Sequence, residues 1–470
     1  VVTRELAPAE AGRISRPRSL TPASWILFAT VLAGGLNYLY ALGMTGLLTP
    51  PRYSAFVSGQ AIMLVTGTVA NTSVPWLLAR EISRAADGVA SRGLVWFSTI
   101  LNLLVGAAAA ALTVALSAGF ADPAETAWLA AATLGFFMAS TGMGWSQGHQ
   151  RFGLLAALIV AEVAIKVVLG VELVASGAGP AGAFAAALAG ALAIAIAMLW
   201  PMRHELAPTR AALASRRLWR SAAGMGAVQA AVTLLSVIDV LFMVLRFGPT
   251  RAVADYQVSA TLTRAPLFLA LALATAAFPQ LARRPGDRAV LSTHIQHVLN
   301  VLIPLLVLIA TLPGPLLTAV LPGGYDGAVR FLPLTAVLST AYGVVIAQTT
   351  VFRADGRVRE CLLILVGACV TSLICMALGS MIGIYEAAVG AIVGALVVIV
   401  ALAVQTERRW RGAQRLDLRS LMLWPGVAVL LVLVRSTPWL WLCLAALVAV
   451  QIARAATSRP ESTLRLGAER

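Results

Sequence analysis

The sequence predicts an all-α polytopic membrane protein, and three observations carry that prediction. Fourteen long apolar stretches follow one another along 470 residues, most of them near the ~20 residues one helix needs to cross a bilayer. The composition, 59% hydrophobic and 12% charged with a mean hydropathy of +0.86, is not that of a soluble domain of this length. Arginine sits almost only in every second gap between the apolar stretches.

Transmembrane helices are expected near 25–47, 54–78, 94–119, 128–147, 153–174 and 182–201. After an arginine-rich connector they continue near 222–245, 256–278, 298–320, 332–352, 361–382 and 386–404. A second connector leads to a shorter pair, 421–434 and 438–454. The arginines before the first stretch imitate a signal peptide's n-region. That apolar run is long, however, and many spans follow, so it reads as an uncleaved first helix. The expected organisation is a cytoplasmic N-terminal segment (1–24), a lobe of helices 1–6 (25–201), a cytoplasmic connector (202–221) and a lobe of helices 7–12 (222–404). A second cytoplasmic connector (405–420), helices 13–14 (421–454) and a cytoplasmic tail (455–470) complete it.

The arginines set the orientation. One set of gaps holds clusters such as Arg80, Arg84 and Arg92, then Arg203, Arg210, Arg216, Arg217 and Arg220, then Arg408, Arg409, Arg411, Arg415 and Arg419. The alternate gaps hold only Arg52, Arg246, Arg251, Arg330 and Arg435. Cationic loops resist translocation, so the arginine-rich side is expected in the cytoplasm of a plasma or inner membrane, with both termini inside. The net charge of +15 is confined to short loops, where anionic lipid headgroups are the natural partner rather than nucleic acid. Cys361, Cys369, Cys375 and Cys443 all fall within apolar stretches without a C-x-x-C pair, which indicates neither zinc nor a disulfide framework.

No break is long enough for a soluble domain. A membrane glycosyltransferase would be expected to carry acidic residues on a sizeable external loop, and an ATP-driven pump a P-loop; neither pattern occurs. No enzymatic activity, cofactor or metal is therefore expected, and function should lie between the helices.

The halves share a faint repeat. Pro50, Arg52 and Tyr53 precede a span that ends Pro75-Trp76-Leu77-Leu78-Ala79-Arg80; Pro249, Arg251 and Tyr256 precede one that ends Pro279-Gln280-Leu281-Ala282-Arg283-Arg284. Six is even, so the halves enter from the same face and can be related by an axis along the membrane normal. The stretch GGLNYLYALGMTGLLTPPRYSAFVSGQAIMLVTGTVANTSVPWLLAREISR resembles the opening two spans of polysaccharide-biosynthesis, Wzx-like flippases of the multidrug/oligosaccharidyl-lipid/polysaccharide (MOP) exporter superfamily. SQGHQRFGLLAALIVAEVAIKVVLGVELV is similar to their fourth-to-fifth-span passage. The segment around Asp239, Tyr256 and Pro279 resembles spans seven and eight, and the likeness runs from about residue 22 to 404. It departs where Arg52 and Asp255 stand in place of the glycine the family often sets before the tyrosine.

The resemblance implies two six-helix lobes around a cavity that opens alternately to each side, and a lipid-linked oligosaccharide or polysaccharide precursor moved from inner to outer leaflet. Such a head carries pyrophosphate and many hydroxyls, and taking it through hydrocarbon would be prohibitive without a polar cleft. Further implied partners are a polysaccharide polymerase or glycosyltransferases. The alternatives are a drug or small-cation antiporter of the same superfamily, a lipid II flippase, and a non-transporting envelope-assembly scaffold.

Ionisable residues deep in a span are costly and face a cavity or a partner. Glu162 and Lys166 sit near the middle of span five at i and i+4, the order that favours an ion pair; Asp239 and Arg264 lie at comparable depth in spans seven and eight. Pro266 would free a carbonyl and kink span eight. Arg264, whose planar fork matches phosphate oxygens, is the first candidate for pyrophosphate, with Lys166 second. Glu162 and Asp239 are candidates for coupling or ion pairing. Asn37, Tyr38, Tyr40, Gln60, Asn71, Asn102, Gln229 and Gln348 are candidates for sugar hydroxyls, or for hydrogen bonds between packed spans.

Overall fold

The computed structural model describes residues 22–84, 88–206, 216–284, 286–409 and 418–457. The expected N-terminal segment up to residue 21, the middles of both connectors (207–215 and 410–417) and the tail from 458 lie outside the described residues. Arg210, Arg411 and Arg415 lie outside them too.

The described residues form helices joined by short turns, with no strand among them. The first half comprises α1 (Pro22–Gly43), α2 (Pro50–Thr72), α3 (Val74–Arg84), α4 (Gly88–Ser117), α5 (Pro123–Gly148), α6 (Phe152–Leu173) and α7 (Gly179–Met202). The second comprises α8 (Arg216–Leu235), α9 (Ile238–Phe247), α10 (Arg251–Leu262), α11 (Ala265–Arg283), α12 (Arg288–Ala310), α13 (Gly314–Val320), α14 (Ala328–Ala354), α15 (Val358–Gly379) and α16 (Ile384–Arg409). The chain continues with α17 (Leu418–Leu433) and α18 (Pro438–Thr457).

Each expected apolar stretch falls on one of these helices or on a consecutive pair. Among the described residues ten helical runs are long and apolar enough to cross a membrane, eleven if the bent pair α8–α9 is one span. One of the ten, Phe152–Met202, covers both α6 and α7, which pack on one another after the chain turns at Gly177 (φ 98°) and Gly179 (φ 60°). α17 spans 16 residues, roughly 24 Å at 1.5 Å per residue, and is short for a membrane core. The acidic loop before α5 has a local purpose. Asp122 accepts from the Glu125 N–H at 2.8 Å, Glu125 accepts from the Asp122 N–H at 3.2 Å, and Pro123 opens the helix: a capping box.

One packing scheme occurs twice in the same order. In the first half α1 packs on α6, α2–α3 and α4 on α5, and α5 and α6 on α7. In the second half α8 packs on α15, α10–α11 and α12 on α14, and α14 and α15 on α16. α17 and α18 lie against α12. Gly390 and Gly394 on α16 let α15 approach to backbone contact: a Cβ at either would collide with the α15 main chain at Cys375 or Ser372. This glycine spacing serves packing inside the half.

The two halves meet most extensively at the arginine-poor end. There Tyr53, Phe56 and Phe184 share one buried cluster with Met243, Tyr256 and Tyr325. Tyr53 and Tyr325 meet edge to face at 5.5 Å, and the Tyr325 hydroxyl donates to the Leu48 carbonyl at 3.1 Å. Towards the other end a smaller cluster joins Val74, Leu77, Phe97 and Leu101 to Leu218, with Trp219 edge-on to Phe97 at 5.4 Å.

Candidate functional site

Two consecutive spans of the second half are broken at similar depth. Between α8 and α9 the axis bends by 61° at Ser236–Val237. Between α10 and α11 the break falls on Thr263 and Arg264, with Pro266 at the start of the new helix. Proline has no N–H to offer the carbonyl four residues earlier, which is that of Leu262. The Tyr38 hydroxyl of α1 stands 3.5 Å from this freed oxygen, so the kink expected from Pro266 is also a point where the halves touch.

Between the breaks and α14 lies a small cavity, lined among others by Ser236, Asp239, Arg264, Thr335, Ser339 and Tyr342. In this conformation it has room for little more than water, so a phosphate or a sugar needs the wider opening of a full ligand cleft. The Asp239 carboxylate accepts a hydrogen bond from the Tyr256 hydroxyl at 2.6 Å. Arg264 lines the same cavity, and among the described residues it forms no ion pair with Asp239. The Arg264 Nη2 is buried without a hydrogen-bond partner among the described residues, as are the Ser339 and Tyr342 hydroxyls. One carboxylate is held by a tyrosine, and one guanidinium is left uncommitted beside hydroxyls.

In the first half, Lys166 does not pair with Glu162 one turn earlier. Its ammonium donates to the Asn37 side-chain oxygen on α1 and stands 5.5 Å from the Tyr40 ring. Asn37 is fixed in turn by its amide donating to the Ala33 carbonyl at 3.0 Å. Glu162 lies where α6 crosses α7 closely: a Cβ on Gly190 would meet the Glu162 carbonyl oxygen at 2.7 Å. Tyr40 is buried with its hydroxyl over Gly170 and no hydrogen-bond partner among the described residues. Asn102 donates to Thr141 at 2.8 Å and joins α4 to α5, an interhelical contact. Gln60 has a buried amide nitrogen, and Gln348 a buried amide oxygen, without partners among the described residues. Asn71 and Gln229 are half-buried.

Residue patterns along single spans did not reveal Tyr342, Ser339 or Gln257. Gln257 is fully buried and donates to Ser58 of the other half at 2.9 Å. The signal was present in the repeat: Tyr53-Ser54 and Tyr256-Gln257 open equivalent helices with polar residues at matching positions.

A model of the family described as "Polysaccharide biosynthesis protein" matches residues 19–284, more than half of the chain. The chain belongs to this family. Comparison with curated protein sequences finds no match. Among solved structures, the lipid II flippase MurJ in an inward closed conformation is similar at 11% identity, covering 93% of this chain and 98% of its own, with a TM-score of 0.69. A multidrug resistance MATE family transporter of the MOP superfamily, inward-facing, is similar at 14% identity, covering 81% and 95%, with a TM-score of 0.68. A MOP superfamily transporter from Pyrococcus furiosus is similar at 15% identity, covering 84% and 97%, with a TM-score of 0.57. At these identities the shared property is the fold, which this family member has in common with them.

Proposed function

We propose that this family member is a flippase that carries a lipid-linked oligosaccharide or polysaccharide precursor from the inner to the outer leaflet by alternating access. The observation that carries the reading is Arg264: a guanidinium at a helix break beside the contact between halves, with a buried N–H that meets no acceptor among the described residues. Pyrophosphate is the part of such a substrate that matches this group, by charge and by paired oxygens. Lys166, held to a neutral amide rather than to a carboxylate, is the second cation available to the head. Asn37, Tyr38, Gln60, Asn71 and Gln229 are assigned to the sugar-facing or inter-half surface. Glu162 and Asp239 are assigned to coupling.

The extensive contact at the arginine-poor end supports a conformation closed on that side, and the arginine distribution supports assigning that side to the outside and both termini to the cytoplasm. Without a P-loop in the sequence, the driving force is assigned to an ion gradient, the membrane potential or consumption of the glycan outside. A drug antiporter would favour an acidic, aromatic cavity over embedded Lys166 and Arg264.

Depleting the protein in cells and analysing polyprenyl-linked glycans leaflet by leaflet tests the reading. Accumulation in the cytoplasmic leaflet is expected; an unchanged glycan pool with altered drug efflux would point to the antiporter. In cells that express the cysteine variants, impermeant thiol reagents should reach positions 122–126 and not 408–415.

A further inference from the structure

The seam that closes the arginine-poor end is apolar around its edges and polar along its middle. Phe56, Val57, Val253 and Val258 belong to its buried cluster. Between them α2 contributes Ser54 and Ser58, and α10 contributes Gln257 and Thr261, all buried. Between α2 and α10 the Gln257 amide donates to the Ser58 hydroxyl at 2.9 Å, beside the Tyr325–Leu48 hydrogen bond between the halves. Ser58 donates to the Ser54 carbonyl and Thr261 to the Gln257 carbonyl, both at 2.8 Å. The Ser54 hydroxyl and the Gln257 amide oxygen have no hydrogen-bond partner among the described residues.

For a permanent joint this is a poor choice. Buried polar atoms without partners oppose closure, and an apolar seam of the same shape would hold more tightly. The arrangement suits a joint that must part. On opening, α2 and α10 become facing walls with hydroxyl and amide groups spaced at i and i+4 on α2 (Ser54, Ser58) and on α10 (Gln257, Thr261), and the Ser54 hydroxyl and Gln257 amide oxygen gain partners they lack when closed. Their chemistry is neutral and able both to donate and to accept, which fits the hydroxyls of a sugar and offers no charge to a phosphate or an organic cation.

We infer that the Ser54–Ser58 and Gln257–Thr261 faces form a second, transient binding surface for the neutral polyhydroxylated head of the substrate, available only when the arginine-poor end is open. This rests on the flippase reading and extends it from the pyrophosphate to the glycan.

The test uses the full-length protein with Gln257→Leu and, separately, Ser58→Ala. Three readouts are taken: thermal stability, labelling of a Ser54→Cys reporter by an impermeant maleimide in whole cells, and lipid-linked glycan in the outer leaflet. Gln257→Leu should keep or raise stability, lower reporter labelling, and reduce glycan export roughly fivefold or more, the worth of a lost hydrogen bond. Ser58→Ala should move all three readouts in the same direction by less. Normal export by Gln257→Leu would overturn the inference, because the amide would then not meet the glycan. Lower stability with increased labelling would also overturn it, reducing the seam to a latch. Failure of the flippase reading would look different: deleting the whole protein would leave the glycan distribution unchanged, and the inference would fall with it.

Discussion

Arg264→Gln should fold and insert as the wild type does and lose glycan transport. The residue starts α11 at a helix break and faces a cavity, and its Nη2 is buried without a partner. In an ion pair with Asp239, removal would strand a buried carboxylate and cost about 3–5 kcal/mol. Asp239 is held instead by the Tyr256 hydroxyl at 2.6 Å, so the carboxylate keeps its partner in the variant. Stability should therefore stay level or rise by about 1–2 kcal/mol, as an uncommitted charge is removed from a low-dielectric setting. Transport should fall by roughly 10–100-fold, the worth of charge-assisted hydrogen bonds of about 1.5–3 kcal/mol. Arg264→Lys should fall between, because it keeps the charge and loses the planar fork. Expression, thermal stability and export measured on the same preparations decide it. Normal export by Arg264→Gln would remove the residue from the substrate path.

Reversing Glu162 and Lys166 together should not rescue transport. An i, i+4 ion pair would survive the exchange of its members, since each charge would meet its opposite again. In the structure Lys166 turns instead to Asn37 on α1 and to the Tyr40 ring, while Glu162 lies against α7 at Gly190. The double reversal places a carboxylate against an amide oxygen and a ring face, both poor surroundings for an anion. Lys166→Glu alone and the double variant are both expected to insert and to lose transport at least tenfold, on the order of one lost charge-assisted contact. Asn37→Leu tests the same contact from the other side and should destabilise by about 1–3 kcal/mol by leaving the ammonium unmet. Full recovery in the double reversal would return both residues to a structural role.

The helical organisation was legible because membrane solvation acts locally. Apolar runs and the arginines between them appear in the chain itself, so each expected stretch falls on a helix. The break before Pro266 was legible too, since a missing N–H acts where it stands. The bend at Ser236–Val237 was not, because neither residue is proline or glycine. Partners lay further beyond reach. Lys166 meets a residue 129 positions away, and Gln257 meets one 199 positions away, contacts that only the packing of one helix on another creates. The i, i+4 rule pointed Lys166 at Glu162, and tertiary contact prevailed. The number of spans read as fourteen, whereas ten or eleven helical runs qualify among the described residues. Part of the difference is physical: α8–α9 is broken and α17 is short, whereas α6 and α7 count as one run although the chain turns back between them at Gly177 and Gly179.

The central claim is that this chain itself moves a lipid-linked glycan between leaflets. Purified protein reconstituted into liposomes, with a polyprenyl-pyrophosphate oligosaccharide in both leaflets, tests it most directly. A glycan-modifying enzyme that cannot cross the membrane reports which leaflet holds the head group. Wild-type protein should give the enzyme access to the whole pool within minutes, whereas empty liposomes should stop at the outer half and Arg264→Gln liposomes should pass it roughly 10–100-fold more slowly. Equal access with and without the protein, or equal rates for wild type and Arg264→Gln, would contradict the claim.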